Sequence, residues 1–530
     1  MNRTVRAYRG MVTAPHHLAS EAGLRVLREG GNAIEAMIAA AATIAVVYPH
    51  MNGLGGDNFW LIHEPGNNPR GIDACGGAAE KATIEFYREN GLRSFPDRGP
   101  LAALTVAGAV AGWQTALEFS RKAWGGRLPL ARLLEDAIQY AENGISVTSS
   151  QAQNTQSKYD ELADVSGFAS LFLQDGEIPD TGTRFVNKPL GQTLRRLAAT
   201  GLEDFYRGDI GQSLARDLEQ AGSPLSLSDL NRHHTLEVVP LQASIGKHSV
   251  FNMPPPTQGL ASLILLGVFD QLAVQEAENF EFVHGLVEAT KSAFRIRDRV
   301  ITDPDYISED ITNYLQPETF RKLARGIDPK IAAPWPGKES AGDTVWLAAA
   351  DGEGRVVSFI QSLYWEFGSG LVLPETGIVW QNRGISFSLD ENHHNCLKPR
   401  RRPFHTIQPA LAHLDNGAVL AYGTMGGEGQ PQTQAMIFNR YVNYGQSVGQ
   451  AIAAPRWLLG RTWGKATVKL RIEDRFPEAL CRALENAGHD LEVVGAFDEI
   501  MGHAGAIVAH GNGLLEGASD PRSDGAAHSF

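Results

Sequence analysis

The sequence predicts an α/β protein, and three observations carry that prediction. Helical patterns dominate Val110–Ala141 and Asn187–Ala221, with further helices predicted before and after them. A Pro- and Gly-rich stretch, Gly326 to Gly342, then breaks the pattern, and segments of β character follow it directly. The 56 glycines gather in clusters beside the predicted elements rather than scattering. With 43% hydrophobic and 20% charged residues the composition is globular, and a large core needs no disulfide staples. At roughly 150 residues per domain the length allows three or four domains, or one large α/β unit.

The elements follow in chain order. Gly30-Gly31-Asn32 opens an Ala-rich helix, with Asn32 placed to cap it. Its apolar run, Ala36 to Tyr48, is too short for a membrane span of roughly 20 residues and reads as a buried helix. A turn with Gly53, Gly55 and Gly56 leads to a strand at Phe59–Ile62. Helical patterns cover Val110–Ala141 and Asn187–Ala221. The turn Met253–Gly259, with three prolines, precedes a helix at Leu260–Leu272. The next helix, about Phe282–Arg299, carries His284 and Glu288 at i,i+4, which reads as a surface pair. Gly326–Gly342 reads as a mobile linker. Beyond it come strands at Thr344–Ala350 and Val356–Leu363 joined by the turn Asp351–Gly354, then strands at Gly377–Gln381 and Ala418–Tyr422.

Composition excludes some functions. A net charge of -13 argues against a general nucleic-acid binder, and the basic run Lys398–Arg402 does not outweigh it. Cys75, Cys396 and Cys481 form no disulfide framework and point to a reducing compartment. The first nine residues are not followed by an apolar stretch of signal type, so a soluble, cytoplasmic protein is expected. The loop His393-His394-Asn395-Cys396 reads as a non-metal loop, and no metal or cofactor is expected.

Two stretches could carry chemistry. If the chain were cut before Thr344, that residue would own both a hydroxyl and a free α-amine able to act as its base. On these residues alone a strand-leading threonine is the simpler reading. The cluster Gly423-Thr424-Met425-Gly426-Gly427-Glu428-Gly429 could expose backbone N–H groups as an oxyanion hole, or simply turn the chain. The absence of Lys-Ser/Thr after the glycines argues against a phosphate loop.

Together these stretches resemble the γ-glutamyltranspeptidase family of N-terminal nucleophile hydrolases. The resemblance runs in order through Gly30–Ala36, Asn52–Gly56, Val110–Trp113, the Pro254–Gly259 turn and Asp298-Arg299. It continues through Gly342-Asp343-Thr344, Phe367–Gly370, Arg402-Pro403, Gly426-Gly427 and Gly517–Arg522. It implies a four-layer αββα fold and a precursor that cuts itself between Asp343 and Thr344. Residues 1–343 would form a large subunit and 344–530 a small one, held as a heterodimer that can pair further. Thr344 would be the nucleophile, Ser362 its hydroxyl partner, and Gly426 and Gly427 the oxyanion hole.

The departures from the family pattern bear on substrate. Ile84 and Ser386 stand where the family places the Arg and Asp that hold a γ-glutamyl zwitterion, and the paired serines become His405 and Thr406. Arg383 and Arg402 add positive charge, and Tyr364 adds bulk. The departures predict a smaller pocket that favours a compact anion. Within the family the pattern is most similar to relatives that act on a small anionic amide, which implies oxamate cleaved to oxalate and ammonia. Its binding residues would be Arg383, His405, Thr406, Tyr364, Arg402 and Ser386. Other acylase or γ-glutamyl activities of the family are the alternative, and a non-enzymatic binding protein is a third.

Overall fold

The computed structural model describes residues 3–335, 342–460 and 467–530. Among them two seven-stranded antiparallel sheets lie face to face between two layers of helices. This is the expected αββα arrangement. The first sheet runs Val5–Ala7, Leu515–Ser519, Ala504–Ala509, Val419–Thr424, Ala410–His413, His248–Asn252 and Leu241–Ile245. The second runs Ala526–Ser529, Gly10–Ala14, Asp343–Asp351, Val356–Tyr364, Asp57–His63, Arg70–Ala74 and Leu236–Val238.

The strand Asp343–Asp351 is buried along its whole length, and the twofold alternation of a strand explains why. Trp346, Ala348 and Ala350 join Phe59, Ile360, Leu411 and Ile507 in the core between the sheets. Val345, Leu347 and Ala349 face the core under the helices His17–Arg28, Ala33–Val47 and Ala109–Ala123. The helices Gly259–Asp270, Phe280–Val300 and Gly429–Phe438 cover the other sheet. No helix among the described residues is long and apolar enough to cross a membrane.

Asn32 caps the helix Ala33–Val47 as expected. Its Oδ1 accepts from Ile34 N and Glu35 N at 3.0 and 3.1 Å, and Glu35 Oε2 accepts from Asn32 N at 3.0 Å. The expected helices at 110–141 and 187–221 are each broken into three. Pro129 caps a new start in the first, and Gly201, at φ +99°, ends a helix in the second. The strand expected at Gly377–Gln381 shrinks to Ile378–Val379 and gives way to a 3₁₀ turn, Arg383–Ser386.

Part of the expected linker, residues 336–341, lies outside the described residues. Residues 327–335 run without regular structure along the helix Phe280–Val300. Lys291 Nζ donates to Ala333 O at 2.7 Å, and His284 Nε2 donates to Asp328 O at 2.8 Å. His284 and Glu288 are therefore not the surface pair their spacing suggests. Both are buried: Glu288 binds Lys291 at 2.7 Å, and His284 Nδ1 meets His489 Nε2 at 2.9 Å. Lys291→Met should leave the Glu288 carboxylate buried without its cation and cost about 3 kcal/mol. Urea unfolding would read this as a lower midpoint, with Lys291→Met/Glu288→Leu recovering most of it.

Candidate active site

The Asp343-Thr344 peptide sits at the head of its strand, where the hairpin register shifts and Asp343 pairs with Tyr364. Both residues are fully buried. Thr344 Oγ1 lies 2.5 Å from the carbonyl oxygen of Asp343 and 3.3 Å from Ser362 Oγ. Ser362 Oγ–H donates to the same carbonyl oxygen and accepts from Tyr364 N at 2.8 Å. Two hydroxyls thus converge on one peptide carbonyl. Gln430 Nε2 approaches Thr344 Oγ1 at 3.5 Å.

The glycine turn closes over this peptide. It leaves the strand Val419–Thr424 with Gly426 at φ +116° and Gly427 at φ +47°, values that favour glycine. A Cβ on Gly342 would stand 3.2 Å from Gly427 Cα, 3.1 Å from Thr406 Oγ1 and 3.4 Å from the Tyr364 ring. The residues just before Thr344 therefore fill the space framed by Gly427, Thr406 and Tyr364. Gln258, on the Pro-rich turn, braces that frame. Its Nε2 donates to Thr406 O at 2.6 Å and Gly427 O at 2.8 Å, while its Oε1 accepts from Arg297 at 3.0 Å. The sequence reading gave Gln258 no role; its place in the Pro254–Gly259 motif was the only signal.

The predicted binding residues divide sharply. Arg383 is buried on the 3₁₀ turn, with its guanidinium 3.9 Å from the Tyr364 ring centroid and Nη1 donating to Thr406 Oγ1 at 3.3 Å. Nη2 has no hydrogen-bond partner and no carboxylate pairs with Arg383 among the described residues. Burial lowers its pKa to about 10, against a smaller opposing pull from neighbours that include Asp57. Tyr364 takes φ +82°, a conformation costly for a bulky residue, and lines an adjacent cavity of about 530 Å³ with Trp365, Ser386, Arg297 and Phe404. Ser386 Oγ donates to Phe404 O at 3.1 Å.

Arg402 and His405 do not fit the binding role given to them. Arg402 is held by Asp73 at 3.0 Å and Asp303 at 3.3 Å, and it lines a different cavity. Both ring nitrogens of His405 are engaged, Nδ1 with Pro403 O at 2.8 Å and Nε2 with Asp57 Oδ2 at 3.1 Å. Burial and the nearby Arg383 lower the His405 pKa. Arg401 is likewise spent on Thr302 Oγ1, at 2.6 Å, and on Cys396 O. Ile84 packs in the core at the start of a short helix. Arg383 and Arg401 thus both lack a carboxylate partner among the described residues, but Arg401 is tied up by several oxygen acceptors, whereas Arg383 has one hydroxyl contact, at Thr406 beside Gly342.

One group among the described residues has metal-like spacing: His284, Glu288 and His489, with ligand atoms within 4.8 Å of one another. The Lys291 ammonium already occupies the Glu288 carboxylate, and the imidazoles bond each other, so the group is satisfied without an ion.

The gamma-glutamyltranspeptidase family profile matches residues 19–530. The chain is 54% identical over 521 residues to the oxamate amidohydrolase proenzyme of Klebsiella pneumoniae, covering 98% of each. It is 41% identical over 530 residues to a glutathione hydrolase-like proenzyme of Bacillus subtilis, covering 99% of each. Its structure superposes on a cephalosporin acylase crystal structure from Bacillus halodurans with a TM-score of 0.91 at 33% identity, covering 100% of this chain and 97% of that one.

A buried, unpaired guanidinium costs stability, and function is the usual reason to keep one. Arg383→Met should therefore leave the thermal midpoint unchanged or raise it. A clear fall in a calorimetric scan would instead make Arg383 a structural residue.

Proposed function

The chain belongs to the gamma-glutamyltranspeptidase family and is an enzyme of the amide-hydrolysing kind; from that premise we propose that it hydrolyses a small anionic amide, with oxamate the best fit. The observation that carries the reading is Arg383, a buried cation with an unpartnered Nη2 beside Thr406. A carboxylate bonded directly to an amide would place its charge on Arg383 while its carbonyl stays near Thr344. Ile84 and Ser386 offer no charged grip for a larger zwitterion. The 54% identity to a protein named for oxamate supports the same choice.

The proposed reaction starts with self-cleavage between Asp343 and Thr344. The large and small pieces stay together, because the strand Asp343–Asp351 pairs with Gly10–Ala14 and Val356–Tyr364 pairs with Asp57–His63. The freed Thr344 amine takes the hydroxyl proton as Oγ1 attacks the amide carbon. Ser362 orients the hydroxyl, and the N–H groups of Gly426 and Gly427 receive the oxyanion. The amine returns the proton to departing ammonia, and water releases oxalate from the acyl-enzyme. A second reading, a bulkier acyl substrate, is favoured by the size of the cavity beside Tyr364.

Two experiments test this. Thr344→Ala should remain one uncut chain without activity, whereas wild type gives two bands on a denaturing gel. Wild type should release ammonia from oxamate far faster than it hydrolyses glutathione. Arg383→Ala should lower kcat/KM for oxamate roughly 10- to 200-fold while still cutting itself. Brisk glutathione turnover without oxamate turnover would overturn the substrate choice and leave the family chemistry standing.

A further inference from the structure

The mature enzyme's base does not exist in the uncut chain. Before cleavage the Thr344 nitrogen is an amide, so it cannot take the hydroxyl proton. Self-cleavage nevertheless needs a net proton transfer from Thr344 Oγ1 to Thr344 N. Some other group must deliver a proton to the departing nitrogen.

Among the described residues, one side chain touches that nitrogen. Asp343 Oδ1 accepts from Thr344 N at 2.7 Å, and Oδ2 is buried with no hydrogen-bond partner. The residue has no exposed surface, and no cation pairs with it among the described residues. An ionised carboxylate would be poorly supported there, while a carboxylic acid fits. Two further acids lie close enough to be felt, Glu366 in the turn after the strand Val356–Tyr364 and Glu499 in the 3₁₀ turn Glu499–Met501, and burial together with these raises the Asp343 pKa well above the ordinary range.

We propose that the side-chain carboxyl of Asp343 is the acid that protonates the Thr344 nitrogen during self-cleavage, so that the residue acts on the peptide bond it helps to form. This rests on the self-cleavage reading above. Thr344 Oγ1 attacks the Asp343 carbonyl carbon, forming a C–O bond. Its proton passes to Ser362 Oγ as Ser362 gives its own to the carbonyl oxygen, which leaves a neutral tetrahedral species. Rotation about Cβ–Cγ brings either carboxyl oxygen to the nitrogen. The carboxyl proton moves to that nitrogen as the C–N bond breaks, and the tetrahedral hydroxyl re-forms the carbonyl by returning its proton to the carboxylate. The product is an Asp343 ester on Thr344 Oγ1 beside a free α-amine. Water then hydrolyses the ester.

The test is Asp343→Asn in the full chain. Asn keeps the shape and an oxygen to accept the Thr344 N–H, but carries no transferable acid proton. Self-cleavage followed by denaturing gel should slow at least about 100-fold, the usual scale of general acid catalysis. Mass spectrometry of the large piece should show that any molecules which do cut have deamidated to Asp. Cutting of the intact Asn chain within about twofold of wild type, against that 100-fold expectation, would overturn the proposal. A wild type that never cuts here would overturn the self-cleavage reading and this proposal with it. A second measurement needs no variant. The wild-type cutting rate should hold at low pH and fall as pH rises through the raised Asp343 pKa, with Glu366, Glu499 and Tyr48 as the titratable neighbours. A rate that climbs as pH rises would overturn it.

Discussion

The register of one hairpin governs the site. Pairing Asp343–Asp351 with Val356–Tyr364, with a shift at the first pair, sets Ser362 against the Asp343-Thr344 peptide and turns Tyr364 into a left-handed conformation. A slip by one residue would carry Ser362 to the other face of the sheet. The slip is prevented by packing. Trp346 is wedged so tightly that a Cβ on Gly423 or Gly505 of the facing sheet would lie 2.3 or 2.6 Å from its ring. The sheet-to-sheet core therefore fixes the geometry of the candidate site as well as the fold.

Charge is organised around the same place. Two arginines of the run before the site are paired with carboxylates, Arg400 with Glu80 and Arg402 with Asp73 and Asp303, while Arg401 is held by neutral oxygens and the Tyr306 ring, with its donors largely occupied. Arg383 has an aromatic face and a hydroxyl instead. A guanidinium stacked on a ring keeps part of its attraction for an anion, because the ring returns no full negative charge. The difference between these cations lies in their partners, since all four are arginines.

Much of the fold was legible in the sequence because it rests on local rules. The cap at Asn32, the apolar helix behind it and the strands after residue 342 are set by neighbours a few residues apart. The meeting of Thr344 with Ser362 and the approach of Gly427 to Gly342 were legible through family resemblance, and Arg383 as an added charge near Thr406. What the sequence hid depends on long-range pairing. The partner of His405 is Asp57, 348 residues away, and Arg402 meets Asp73 across 329. Nothing local marks either residue as occupied. His284 and Glu288 failed for a related reason: their spacing is that of a surface pair, and the segment at 328–333 together with the distant His489 covers them.

The second sheet has a consequence for how the protein is made. Its two central strands come from beyond residue 343, yet they lie between Gly10–Ala14 and Asp57–His63, which come from before it. Translated as two separate polypeptides, the first would present two raw strand edges facing an empty slot, a surface prone to sticking to other chains. Continuity of the backbone holds the missing strands at high effective concentration until the slot is filled. The peptide link at 343–344 would then serve as an assembly tether, spent only after the sheets have closed around it.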